Sequence, residues 1–68
     1  MDYYYVNKKE QANGDHEVHT TRCSFIPNSE NRILLGYFNT CAEAVREAKK
    51  TYSKSNGCYY CCRVCHTS

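Results

Sequence analysis

The chain has 68 residues, of which 24% are charged, and its formal net charge is +2. This length allows one small domain, residues 1–68, and a domain of this size buries only about 60% of its unfolded surface. Mixed charges without a clustered basic face are unlike a nucleic-acid footprint, and no apolar run approaches the roughly 18 residues of a membrane span.

Six cysteines and seven tyrosines supply much of the 41% hydrophobic content, so we expect a thin aliphatic core supported by disulfides or a metal. Residues 1–5 lack a basic region followed by an apolar one, and no secretory signal peptide is expected there. We therefore expect a cytoplasmic, reducing compartment in which thiols stay free to bind metal. The even number of cysteines leaves an exported, disulfide-bonded protein as the alternative.

Two strands are predicted first along the chain. Residues 2–7 are aromatic and β-branched, which is typical of a strand. Asn-Gly-Asp at 13–15 is a strong turn signal because Asn and Gly tolerate positive φ. Residues 16–21 then predict a second strand, antiparallel to the first. Alternation assigns the side chains to two faces: His16, Val18 and Thr20 to one, Glu17 and His19 to the other.

A loop and a third strand follow. Residues 22–32 contain Pro27 and several Asn and Ser residues, which interrupt regular structure. Residues 33–38 are the most apolar run of the chain and predict a strand. Gly36 within this strand indicates a bulge or a close approach of two backbones.

The clearest prediction is a helix that begins after Thr40, because Glu43 three residues later completes a capping box. Residues 53–57 are expected to end it. Its apolar stripe, at helical spacing, consists of Cys41, Ala44, Val45, Ala48 and Tyr52. Together the elements predict an α+β fold with a small antiparallel sheet of about three strands, one helix and a C-terminal Cys-rich loop.

The C-terminal segment 57–66 contains four of the six cysteines and one of the three histidines. It includes two Cys-x2-Cys steps, Cys58 with Cys61 and Cys62 with Cys65. A two-residue gap lets a tight turn point both thiolates at one metal ion. Tetrahedral zinc takes four ligands, so a second pair is needed from elsewhere in the chain.

His19 and Cys23 are the best second pair, because a His-x3-Cys step at a strand end can place both side chains on one metal. The predicted zinc ligands are therefore His19, Cys23, Cys58 and Cys61. Zinc bound in this way would close a long loop between the second strand and the C-terminus, where a cross-link stabilises a small fold most.

The run from His19 to Cys61 resembles the small N-terminal zinc domain of the Ada DNA-alkylation repair proteins and related short Cys/His bacterial domains. In that family a two-ligand step with three intervening residues is followed by strands, a helix with an Ala-rich face and a closing Cys-x2-Cys. The matching pieces here are His19, Cys23, the segment 36–44, Cys58 and Cys61.

The resemblance implies a zinc site but not the family's methyl transfer to a zinc-bound thiolate. His19 stands where the family has a cysteine, and a neutral imidazole makes the site less nucleophilic than an all-thiolate shell. The tail also departs from the family in carrying Cys62, Cys65 and His66. We therefore take the resemblance to imply a metal site but not the methyl-transfer reaction.

Other residues could replace a predicted ligand. Cys41 fits a buried small hydrophobe on the helix stripe, although a helix N-terminus also favours a thiolate. Adjacent Cys61 and Cys62 should point in opposite directions, so one of the two is expected at a given site. The alternative ligands are Cys41, Cys62, Cys65 and His66.

The sequence favours a structural zinc module that binds a protein or nucleic-acid partner, with no catalysis, no membrane contact and no small-molecule substrate. No catalytic triad or pair of carboxylates in an apolar setting can be identified. The alternatives are a disulfide-stapled extracytoplasmic binding module without metal, and a thiol-reactive protein with a tail cysteine activated by Arg63. The aromatic residues 3–5, 37 and 38 could stack on bases or fill the thin core.

Overall fold

A computed structural model describes residues 1–66. The elements are β1 Asp2–Asn7, β2 His16–Thr20, β3 Arg32–Phe38, α1 Cys41–Ala48 and β4 Ser55–Gly57, with short 3₁₀ turns at Ser29–Asn31 and Arg63–Cys65. The predicted α+β class with one helix is confirmed, and the three predicted strands agree with β1, β2 and β3 to within one residue at each end. Within the described residues no helix has both the length and the apolar composition needed to cross a membrane.

The sheet has four strands in the order β3-β1-β2-β4. β1 pairs antiparallel with β2 and β3, whereas β4 pairs parallel with β2. The prediction of three antiparallel strands is corrected to a mixed sheet of four. β4 escaped prediction because Ser55-Asn56-Gly57 has no β-branched or apolar side chain, and its strand conformation follows from pairing with β2.

The predicted bulge in β3 is confirmed. Tyr4 of β1 lies opposite Gly36, but the next residue, Tyr5, lies opposite Leu34, so Leu35 is the extra residue of the bulge. Gly36 has φ +142°, a conformation that side chains rarely adopt. The bulge allows β3 to follow the twist of β1 at the edge of the sheet.

α1 begins with the predicted capping box. The backbone N–H of Glu43 donates to Thr40 Oγ1 at 3.3 Å, and the backbone N–H of Thr40 donates to Glu43 Oε1 at 3.2 Å. The helix ends at Ala48, earlier than the stripe predicted. Tyr52 lies beyond the helix and stacks on the ring of His16, with ring centroids 3.8 Å apart.

One face of the sheet carries the apolar core beneath α1. Val6 and Val18 are fully buried and lie opposite each other on β1 and β2. Ala44 and Ala48 of α1 cover them, and Tyr4 belongs to the same cluster. Small side chains on the helix let its backbone come close to the sheet, which makes the core thin but closed.

The other face of the sheet receives His19, since Val18 before it points into the core and side chains alternate along a strand. His19 is buried at 1% exposure and lies opposite Tyr5 of β1. The fold therefore separates an apolar face under α1 from a face where a buried imidazole meets the C-terminal tail.

The tail turns tightly against β4 because Gly57 has no side chain. A Cβ at Gly57 would lie 2.6 Å from the carbonyl oxygen of Cys62 and 2.7 Å from Cβ of Cys65. Such distances are too short for any side chain, so only glycine lets the tail approach β4 this closely.

Replacing Thr40 with alanine should lower the free energy of unfolding by about 1 kcal/mol, because it removes the N-cap of α1. Urea denaturation monitored by circular dichroism measures this. Thr51→Ala, at an exposed position after the helix, is the matched control and should change stability by less than about 0.5 kcal/mol. Equal effects of the two changes would contradict a stabilising cap.

Candidate metal centre

Four side chains from distant parts of the chain meet on the face of the sheet away from α1. One potential ligand atom from each lies within 4.8 Å of the others. Within residues 1–66 no second group of three or more His, Cys, Asp or Glu side chains could hold a metal ion. Three of the four residues are buried and one is half-buried. They are His19, Cys23, Cys58 and Cys61, the residues that sequence analysis selected as ligands.

The sulfur and nitrogen atoms of this cluster are close but not bonded. Cys23 Sγ lies 3.5 Å from His19 Nδ1 and 3.9 Å from Cys58 Sγ. Cys61 Sγ lies 3.9 Å from His19 Nδ1. The six cysteines, which all fall within the described residues, are free thiols. The cluster can therefore hold a metal ion.

The end of β2 positions the first two side chains. A turn follows the strand, in which the backbone N–H of Cys23 donates to the carbonyl of Thr20 at 3.1 Å. The turn brings Cys23 back toward His19, four residues earlier. The His-x3-Cys step at the strand end thus brings the side chains of His19 and Cys23 together, as predicted.

β4 positions the side chains of Cys58 and Cys61. Its parallel pairing with β2 continues one residue further, and the backbone N–H of Cys58 donates to the carbonyl of Val18 at 2.9 Å. The backbone N–H of Cys62 then donates to the carbonyl of Cys58 at 2.9 Å, which closes a tight turn. The unpredicted strand is therefore what delivers Cys58 and Cys61 to His19.

Backbone N–H groups point at the sulfur atoms. Thr20 donates to Cys61 Sγ at 3.4 Å. Burial raises the pKa of the Cys58 thiol, and hydrogen bonds from the backbone of Cys61 and Tyr60 act in the opposite direction. Donors of this kind stabilise a thiolate relative to a thiol, as a metal ligand requires.

The pKa of the Cys23 thiol is set by similar opposing effects. Burial raises its pKa most strongly, the hydrogen bond with the Cys61 side chain adds to this, and a hydrogen bond from the backbone of Phe25 lowers it. Without a cation, the raised pKa values of Cys23 and Cys58 favour their protonated thiols, because neighbouring thiolates would repel one another in a desolvated place. A bound cation would remove that cost.

His19 is held as a neutral imidazole. Burial lowers its pKa, and the negative charge of Glu17 opposes this shift. Its Nδ1 faces the thiols. Its Nε2 is buried without a hydrogen-bond partner among the described residues and lies 3.6 Å from Glu17 Oε1, slightly beyond hydrogen-bond length.

Glu17 thus stands behind the imidazole, where a carboxylate commonly orients a metal-bound histidine. Strand alternation predicts Glu17 and His19 on one face of the sheet, but the sequence alone predicts no role for Glu17. Strand alternation was the available signal. The backbone donors from Thr20, Phe25 and Tyr60 had no sequence signal, since any residue type supplies an N–H.

The other candidate ligands lie elsewhere. Of the adjacent pair, Cys61 belongs to the metal-sized group, whereas Cys62 belongs to the core under α1 together with Cys41. Cys61 and Cys65 both pack against that core. His66 Nδ1 is 3.0 Å from the carbonyl oxygen of Gly57. None of the other candidate ligands belongs to the metal-sized group found within residues 1–66.

The chain matches no protein family, no curated protein and no solved structure. The resemblance to the Ada zinc domain therefore stays a prediction.

A metal ion that binds the cluster should displace about two protons or more at pH 7, because the pKa values of Cys23 and Cys58 are raised. His19 should contribute none, because its pKa is lowered and the ring is already neutral. Affinity should therefore rise with pH, by about tenfold per pH unit for each displaced proton. A pH indicator in weakly buffered solution counts the protons released on metal addition.

Cys65→Ser, outside the cluster, is the control for this measurement and should release the same number of protons. Release of fewer than one proton per ion would show that the buried thiols do not become ligands.

Proposed function

We propose that this chain is a structural zinc-binding module in which His19, Cys23, Cys58 and Cys61 hold one zinc ion and no reaction is catalysed. The convergence of these four side chains, 42 residues apart at the extremes, is the observation that carries the proposal. Support comes from the spacing of the ligand atoms, their chemical type and the place of the cluster in the fold.

The spacing fits tetrahedral zinc. With zinc–sulfur distances of about 2.3 Å and a zinc–nitrogen distance of about 2.05 Å, a tetrahedron separates two sulfurs by about 3.8 Å and sulfur from nitrogen by about 3.6 Å. The sulfurs of Cys23 and Cys58 are 3.9 Å apart, and the two sulfur–nitrogen distances to His19 are 3.5 and 3.9 Å. Small movements would complete the geometry.

The ligand types also favour zinc. Three thiolates and one imidazole form one of the common structural zinc sets, whereas calcium and magnesium prefer oxygen ligands. A complete set of four protein ligands leaves no position for substrate or water, which supports a structural role over a catalytic one.

The cluster lies where a cross-link has the largest effect on stability. It joins the end of β2 to the tail after β4, and so ties together parts of the chain separated by β3 and α1. The aliphatic part of the core is limited to a few side chains such as Val6 and Val18. A domain of this size commonly relies on such a metal for part of its folding free energy.

Exposed aromatic rings surround the cluster and support a role in binding a partner. Phe25 is 57% exposed and Tyr60 is 68% exposed, yet their rings stack with centroids 4.4 Å apart. Tyr59 meets Tyr60 edge-on, and the guanidinium of Arg63 lies 5.1 Å from the Tyr59 ring centroid. We call these four residues the aromatic patch.

The metal ligands would hold the aromatic patch in place. Tyr59 and Tyr60 are the two residues between Cys58 and Cys61, and Phe25 follows Cys23 by two positions. Aromatic and arginine side chains contribute most of the affinity in protein interfaces. The chain has no clustered basic face to follow a phosphate backbone. We therefore favour a protein partner over a nucleic acid.

A cytoplasmic location belongs to the same proposal. Three of the four ligands act as thiolates, and a reducing compartment keeps them available for zinc. The mass of the native protein distinguishes this from a disulfide-stapled extracytoplasmic module: bound zinc adds one metal ion, whereas each disulfide removes two hydrogens.

Neighbouring cysteines provide the sharpest test of zinc binding. Cys61→Ala should weaken zinc binding by more than about 100-fold, beyond the loss typical of residues that only orient ligands. Cys62→Ala removes the adjacent thiol, which is outside the metal-sized group, and should keep one zinc per chain. Competition with a chromophoric chelator measures affinity, and cobalt substituted for zinc reports the thiolate ligands by its absorption.

Equal zinc affinity in the two variants would contradict the proposed ligand set. Loss of zinc in Cys62→Ala alone would move the site to the other face of the sheet.

Binding through the aromatic patch can be tested with the zinc-loaded protein immobilised as bait in cell extract. Tyr60→Ala should keep zinc but reduce capture of a partner protein by about tenfold or more, as loss of a central aromatic side chain does. Tyr37→Ala removes an equally large side chain that is 52% exposed on β3 and should leave capture unchanged. Equal capture by both variants would refute the patch, and binding of single-stranded oligonucleotides that requires Tyr60 would refute a protein partner.

A further inference from the structure

A second group of thiols, which shares no residue with the metal cluster, lies on the helix side of the sheet. Cys41 and Cys62 are buried in the core, and Cys65 packs against them. The closest pair is Cys41 and Cys65, whose sulfur atoms are 2.7 Å apart. Two thiols that merely pack together do not approach so closely, and a disulfide bond is about 2.04 Å long.

The backbone holds both partners of this pair in place. Cys41 is the first residue of α1 and follows the capping residue Thr40. Cys65 ends the 3₁₀ turn of the tail, where its backbone N–H donates to the carbonyl of Cys62 at 2.9 Å. Gly57 permits this turn to lie against β4, since any side chain there would displace Cβ of Cys65.

We propose that Cys41 and Cys65 form a reversible disulfide, a site of oxidation separate from the metal cluster. The bond would join the first turn of α1 to the last turn of the described tail. It uses none of the four proposed zinc ligands, so the oxidised protein can still bind metal. The inference therefore stands independently of the proposed zinc function.

Accessibility sets the order of the reaction. Cys65 is half-buried whereas Cys41 is 8% exposed and Cys62 is 2% exposed. A small reagent from solution therefore reaches Cys65 first. Cys41 lies in contact with it and is placed to complete the exchange.

The oxidant is a low-molecular-weight disulfide such as oxidised glutathione. The Cys65 thiolate attacks one sulfur of that disulfide, the sulfur–sulfur bond breaks, and one small thiol leaves with a proton. The Cys41 thiolate then attacks the Cys65 sulfur of the mixed disulfide and releases the second small thiol. Two protein thiols lose two electrons and two protons, and the small disulfide gains both to become two thiols.

Tryptic cleavage places Cys41, Cys65 and the other tail cysteines in three different peptides, so the identity of a linked pair can be read directly. Cys41 falls in the peptide 33–46, Cys65 in the peptide 64–68, and the three remaining tail cysteines share the peptide 55–63. Zinc-loaded protein is equilibrated with oxidised glutathione, free thiols are alkylated under denaturing conditions with a chelator present, and the digest is analysed by mass spectrometry.

The expected result is a disulfide that links peptide 33–46 to peptide 64–68 and disappears on reduction. The thermal midpoint should rise by about 10 °C on oxidation, because the bond closes a loop between residues 24 apart in sequence. Cys65→Ser should lose both the linked peptide and the rise, whereas Cys62→Ala should keep both.

Alkylated Cys41 after equilibration, or peptide 33–46 linked to peptide 55–63, would overturn the proposal. Zinc content measured on the same samples separates the two functions. A linked peptide in a protein without zinc would support the disulfide and refute the zinc site. Bound zinc together with a free Cys41 would support the zinc site and refute the disulfide.

Discussion

The proposed zinc module depends on the meeting of one buried imidazole with three thiols at the end of β2. Apolar burial under α1 centres on Tyr4, Val6, Val18 and two alanines of the helix, with partly buried side chains of β3 packed against them. A domain of this size buries a limited share of its unfolded surface, and a metal that ties the tail to β2 would add to its stability. Burial of His19 Nε2, which lacks a hydrogen-bond partner among the described residues, costs free energy. A metal bound at Nδ1 would add a stabilising interaction to the same ring.

The turn after β4 distributes its thiols to two sides of the molecule. Cys58 and Cys61 reach the imidazole, while Cys62 and Cys65 reach the start of α1. Each side joins a different part of the chain to the tail, one to β2 and one to the helix. The close contact of Gly57 with the turn makes both arrangements possible at once. A ten-residue tail thereby connects every layer of a domain that has little core of its own.

Much of this architecture could be predicted from sequence where local chemistry decides it. The strand β1, the bulge at Gly36 and the capping box at Thr40 each follow from side-chain preferences within a few residues. β4 could not be predicted, because its residues have no strand preference and its pairing partner is remote. The meeting of His19 with the tail was anticipated from spacing and ligand chemistry. The contact between Cys41 and Cys65 required tertiary structure.

If a bound metal supports the fold, the amide spectrum of the reduced protein should change when the metal is removed. We expect dispersed ¹H–¹⁵N signals with zinc, collapse of that dispersion on chelation, and recovery when zinc is restored. An unchanged, dispersed spectrum in protein shown by elemental analysis to be free of metal would contradict this expectation.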